Sequence, residues 1–109
     1  GPLTLILPAK DNELAQNMGN ENKIGIRIPD RGDILRIVKE LSLPVTATSA
    51  NISGQVPDVD CRSILSGLEG IDLAIDGGDL KGKPSTIVEF SGSDFSIIRK
   101  GVLDLSELE

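Results

Sequence analysis

Between Pro29-Asp30 and Pro44 lie Ile34, Ile37, Val38 and Leu41, at positions i, i+3, i+4 and i+7. That spacing predicts a helix with one apolar face, and such a face needs a surface to cover it. Asp30 offers a cap at its start, and Pro44, which cannot continue a helix, sets its end. The chain then turns at once to Val45-Thr-Ala-Thr, a β-branched run that reads as a strand. It closes in Ser49-Ala-Asn-Ile-Ser-Gly54, a turn that gathers hydroxyls and an amide where a strand stops. A helix handing directly to a strand points to an α/β fold.

The rest of the chain follows the same alternation. Leu3 to Leu7 is an apolar run closed by Pro8, and a short helix is expected around Leu14 to Met18. Ile24 to Ile28 reads as a strand, and Asp58 to Leu68 as a second amphipathic helix capped by Asp58 or Asp60. Strands are expected at Ile71 to Ile75, Ser85 to Phe90 and Phe95 to Arg99, with Gly-rich turns between them. Together these predict a mixed sheet with helices on its faces.

Composition bounds the chemistry. The 109 residues suffice for one compact core and are few for two domains. Only Phe90 and Phe95 are aromatic, so that core is aliphatic. No histidine occurs, which excludes a Ser/His/Asp triad, a histidine base and a His-ligated zinc within these residues. The single cysteine, Cys61, shares helical spacing with Ile64, Leu65 and Leu68, and reads as a small buried hydrophobe. A net charge of −6 disfavours broad nucleic-acid binding. With no apolar run near the roughly 20 residues of a membrane span and no secretory leader pattern, a cytoplasmic location is expected.

Two motifs fail on inspection. Gly77-Gly-Asp-Leu-Lys-Gly-Lys83 imitates the start of a phosphate-binding loop, but Pro84 stands where a Ser or Thr should reach magnesium, and a strand follows where a helix must begin. Arg31-Gly32-Asp33 spells an adhesion tripeptide, and reads instead as the entry to the Ile34 helix.

What remains is a set of polar residues near strand ends: Arg27, Ser49, Asn51, Ser53, Ser85 and Arg99, with Lys83, Thr86 and Lys100 beside them. Each has an ordinary role open to it, such as an ion pair, a turn or a strand entrance. As a group they offer cations and hydroxyls without a titrating base. That inventory suits reactions run by positioning and charge stabilisation, such as phosphoryl or nucleotidyl transfer.

Five segments, in order, resemble the motifs of the YrdC-type threonylcarbamoyl-AMP synthases: Gly1-Pro-Leu-Thr4, Ile24-Gly-Ile-Arg-Ile-Pro-Asp30, Thr48-Ser-Ala-Asn-Ile-Ser-Gly54, Lys83-Pro-Ser-Thr-Ile-Val88 and Ile98-Arg-Lys-Gly101. The resemblance implies a twisted mixed sheet around a concave, positively charged cavity. It implies a reaction in which L-threonine, bicarbonate and ATP, with Mg2+, give threonylcarbamoyl-AMP and pyrophosphate, for modification of tRNA. By motif, Arg27 would pair with the threonine carboxylate and Ser85 would contact threonine. Ser49 and Asn51 would hold the phosphate region of ATP, and Arg99 would reach the phosphates, with Lys23 and Pro57 lining the nucleotide pocket through backbone atoms. No catalytic acid or base and no metal ligand is implied.

The resemblance also implies that residues 1–109 correspond to the C-terminal portion of a YrdC-like domain, since Gly-Pro-x-Thr lies mid-domain in that family. The family's Lys-x-Arg motif, which faces Ser-x-Asn, has no counterpart among these residues, and Arg31 stands where histidine often follows Pro-Asp. These departures lead to the expectation that the isolated polypeptide lacks full synthase activity, and that a second copy or a complementing N-terminal half restores the cavity. The alternative is a YrdC-like module that binds nucleotide or RNA without synthesis. A carbamoyl-transfer enzyme of the same fold would carry zinc-finger-like cysteines, which this sequence lacks.

Overall fold

A computed structural model of the chain describes residues 1–10, 12–17, 22–52, 54–55, 60–78 and 82–105. Its elements are β1 (Leu3–Pro8), α1 (Asn12–Asn17), β2 (Lys23–Ile26), α2 (Gly32–Leu41), α3 (Cys61–Gly67), β3 (Thr86–Ser91) and β4 (Asp94–Arg99). They fall into two compact units, one of residues Gly1–Val45 with Lys83–Glu109, the other of Thr46–Gly82.

The first unit is built on a four-stranded mixed sheet in the order β2-β1-β3-β4. The apolar run Leu3 to Leu7 becomes an inner strand, antiparallel to β2 and parallel to β3. β3 and β4 form a hairpin whose tight turn opens on Gly92, at φ 66°, a conformation glycine adopts without a Cβ penalty. The described core is small: Ala15 and Val88 are its buried hydrophobic residues, with Thr86 and Ser85 buried beside them. Phe90 and Phe95 pair across the hairpin with ring centroids 6.1 Å apart.

α2 forms where the Ile34 periodicity predicts, starting at the Arg31-Gly32-Asp33 tripeptide and ending at Ser42, which takes a left-handed C-cap. Its apolar face, however, is only partly covered: Ile34, Ile37 and Val38 are 37–39% exposed. No residue of α2 is buried, and Leu41 is 52% exposed. The expected burial is thereby corrected.

In the second unit α3 is capped by Asp60, whose carboxylate accepts from Ser63 N at 2.9 Å; Asp58 lies outside the described residues. Cys61 is half-buried rather than fully so, and with Ile64, Leu65, Ile71 and Leu73 it lines an apolar cavity. The strands expected at Val45 to Thr48 and Ile71 to Ile75 do not form: both stretches are exposed and carry no ladder. β-branched and apolar residues favour extended backbone, but a strand exists only where another strand supplies the hydrogen bonds.

Candidate ligand-binding face

Strand register decides which side chains meet. Across the sheet, Ile6 pairs with Gly25 and Glu89, Pro8 with Lys23, and Thr4 with Ile87. Side chains of directly paired residues share a face, and alternate residues along a strand return to it. One face therefore carries Thr4, Ile6, Lys23, Gly25, Ile87 and Glu89. The opposite face carries Leu3, Leu5, Leu7, Thr86, Val88 and Phe90, and is the apolar one.

Arg99 belongs to the polar face because of one irregularity. Val88 pairs with Ile97 while Ile87 pairs with Arg99, so Ile98 is an extra residue on β4. In a regular ladder Ile98 would oppose Ile87, and Arg99 would turn to the apolar side. The bulge re-aims it.

On this face Arg99 meets Ser85, two residues before Ile87. Its Nε and Nη2 both donate to the Ser85 carbonyl oxygen, at 3.0 and 2.8 Å, and Nη2 also donates to Ser85 Oγ at 3.1 Å. Ser85 Oγ lies 2.8 Å from Thr4 Oγ1, a contact between residues far apart in sequence that the parallel β1–β3 pairing creates. A guanidinium only donates, so Ser85 accepts from it. Of the two hydroxyl protons on Thr4 and Ser85, one lies between the oxygens and the other is left for an outside acceptor. Among the described residues the Nη1 end of Arg99 makes no hydrogen bond.

Lys23 Nζ pairs with Glu89 Oε1, bridging over β1. Thr4, Ile6, Lys23, Gly25, Ile87 and Glu89 line a cavity of about 350 Å3 on this face. Arg27 lies just beyond β2 with the parity of Lys23 and Gly25, and its Nε donates to the Gly1 carbonyl oxygen at 3.0 Å. Arg27, Lys23, Ser85 and Arg99 thus belong to one unit, with Thr4 as the residue that sequence reasoning did not single out. Its signal was present in the Gly-Pro-x-Thr motif, but its partner became visible only with the strand order. Glu89 is the second such residue, and it neutralises Lys23 within the cavity.

Ser49 and Asn51 lie in the other unit. Ser49 is exposed. Asn51 Nδ2 donates to the carbonyl oxygens of Ile52 and Gln55, both at 2.9 Å, which fixes the turn; its Oδ1 is buried and has no partner among the described residues. Pro57 and Ser53 lie outside the described residues. No cluster of three or more acidic, Cys or His groups that could hold a metal occurs among the described residues, and no described helix is long and apolar enough to cross a membrane.

The fold is that of a mixed α/β domain whose sheet presents the Thr4 and Ser85 hydroxyls and the Arg99 guanidinium on one face. More narrowly, the chain belongs to the Sua5/YciO/YrdC family, described as "Telomere recombination", whose match covers residues 1–101. A Methanocaldococcus jannaschii protein provisionally named threonylcarbamoyl-AMP synthase is 40% identical over 99% of this chain and 51% of its own length. The threonylcarbamoyl-AMP synthase of Pyrococcus abyssi is 31% identical over 100% of this chain and 33% of its own. The crystal structure of P. abyssi Sua5 complexed with L-threonine matches with a TM-score of 0.82 and 29% identity, over 99% of this chain and 32% of that one. The chain thus spans 51% of the length of the first relative and 33% of that of the second.

Proposed function

We propose that this chain serves, in the cytoplasm, the synthesis of threonylcarbamoyl-AMP from L-threonine, bicarbonate and ATP, with release of pyrophosphate, for modification of tRNA. The observation that carries the reading is the convergence of Thr4, Ser85 and Arg99 on the sheet face that bears Lys23 and leads to Arg27. The likeness to a synthase structure complexed with L-threonine supports it.

The reaction forms a bond between the threonine nitrogen and the bicarbonate carbon with loss of water. It then forms one between the resulting carbamate oxygen and the α-phosphorus, as the bond to the pyrophosphate oxygen breaks. Neither step requires a histidine. Arg27 supplies a planar fork matched to the threonine carboxylate. Ser85, polarised by Arg99, donates to threonine through the spare proton of the Thr4–Ser85 pair. Arg99 Nη1, which makes no hydrogen bond among the described residues, would face the charge that accumulates as pyrophosphate departs. In the other unit, Asn51 fixes its own turn, which follows Ser49, by donating to the Ile52 and Gln55 carbonyl oxygens. The described residues do not make a protein-held Mg2+ site. Mg2+ would enter as the counter-ion of the ATP substrate.

Calorimetric titration of the 109-residue chain with L-threonine, ATP and a structured RNA tests the reading. Threonine and ATP binding is the expected result. RNA binding without either would overturn it in favour of a non-synthetic module. Because no Lys-x-Arg tripeptide occurs among these residues, the same polypeptide is expected to bind substrates without completing the synthesis at a full rate.

A further inference from the structure

The buried hydroxyl of Thr86 takes no part in the ligand face, yet it is the most heavily used in the described structure. Thr86 is 1% exposed and lies on the apolar side of β3. Its Oγ1 donates to the Leu103 carbonyl oxygen at 2.7 Å and accepts from the backbone N–H groups of Gly101 and Leu103, each at 3.1 Å. Val102 N adds a bond to the Pro84 carbonyl oxygen at 3.0 Å. The segment leaving β4 is thereby folded back onto the residues entering β3.

Gly101 is what allows the approach. A Cβ built there would lie 2.2 Å from Pro84 O, 2.4 Å from Ser85 C and 2.5 Å from Thr86 N, all backbone atoms that cannot swing aside. The backbone of Gly101 therefore rests on the peptide groups that include Ser85, whose carbonyl oxygen Arg99 grips. Arg99 lies between two restraints: the Ile98 bulge before it, which turns it to the polar face, and this contact two residues after it.

We propose that Thr86 and Gly101 are positioning residues: they clamp the chain on both sides of the Ser85–Arg99 pair and so hold the Arg99 guanidinium on the Ser85 carbonyl oxygen, fixing its place on the polar face. The clamp goes beyond the assigned ligand contacts, and only its consequence for threonine binding rests on the functional reading above.

The Arg99 Nε–H gives a direct readout, because its exchange with solvent is slowed only while it is held on the Ser85 carbonyl. In the wild-type chain, Arg99 Nε–H and the amides of Gly101 and Leu103 are expected to exchange together across a urea series, each slowed by at least about tenfold relative to an unstructured peptide. T86V, which keeps the shape and removes the hydroxyl, is expected to abolish the slowing at Arg99 in a folded protein. T86S, which keeps the hydroxyl, preserves it to within about twofold. G101A is expected to act like T86V. Threonine affinity should fall with the loss of Arg99 protection and return in T86S. Should T86V and G101A not fold, the wild-type series decides: exchange of Arg99 Nε–H independent of the two amides overturns the clamp. Retained protection in a folded T86V overturns it as well. A wild-type chain with the coupled exchange but no threonine binding counts against the functional reading and supports the clamp.

Discussion

Arg99 closes on the Ser85 carbonyl oxygen through two donors, Nε at 3.0 Å and Nη2 at 2.8 Å, and reaches Ser85 Oγ with the second of them. That grip needs the guanidinium fork and a register that sets Arg99 opposite Ile87. R99K keeps the charge and loses the fork, and should weaken binding of an ATP analogue by about tenfold in calorimetry. Deletion of Ile98 removes the bulge but leaves Arg99 opposite Ile87 on the same face, so it should leave binding in the same assay largely unchanged.

The Thr4–Ser85 contact makes a different forecast. The two hydroxyls lie 2.8 Å apart on parallel strands and act as a pair. In a double-mutant cycle with T4V and S85A, threonine affinity should show a coupling of about 1 kcal/mol. Additive losses would mean the two hydroxyls work separately.

Burial separates the stability effects. Val88 is 3% exposed in the centre of the sheet, and V88A should destabilise the chain by about 2 kcal/mol in urea unfolding. Leu41 belongs to an equally clear apolar pattern but is 52% exposed, and L41A should cost under about 1 kcal/mol.

Much of the fold was legible from pattern alone, for a local reason. The Ile34 helix, the Asp60 cap and the strand runs at 3–7, 24–28, 85–90 and 95–99 depend on neighbours within a few residues. Each appears in the structure within a residue or two. The strands that did not form, at 45–48 and 71–75, depended on partners that composition cannot supply. The exposed face of α2 is the same lesson for a helix: periodicity shows which side is apolar, and a separate surface decides whether it is buried. At the candidate site, the motifs marked Arg27, Ser85 and Arg99. The roles of Thr4, Glu89 and Thr86 came from strand order, and the aim of Arg99 from a one-residue bulge. None of these leaves a local signature.

Two aspartates set a pH dependence of definite sign. Hydrogen bonds from Arg31 hold Asp33 down to about 2, and the Ser63 backbone N–H holds Asp60 below its ordinary 3.8. Both carboxylates are lowered in the folded chain. Their stabilisation is present above about pH 4 and is lost as pH falls toward 2. Helix content followed by circular dichroism should decline over that window. D33N should flatten the part due to α2, and 1 M salt should weaken it, since the Arg31–Asp33 pair is solvent-exposed.

The proposed threonine site is one face of the β2-β1-β3-β4 sheet. Chemical-shift mapping of the isotopically labelled chain during titration with L-threonine tests it most directly. Saturable shifts centred on Thr4, Arg27, Ser85 and the Arg99 Nε–H are expected, abolished by R27A and not rescued by R27K. Shifts confined to the residues around α3, or none at these four positions at saturating threonine, would contradict it.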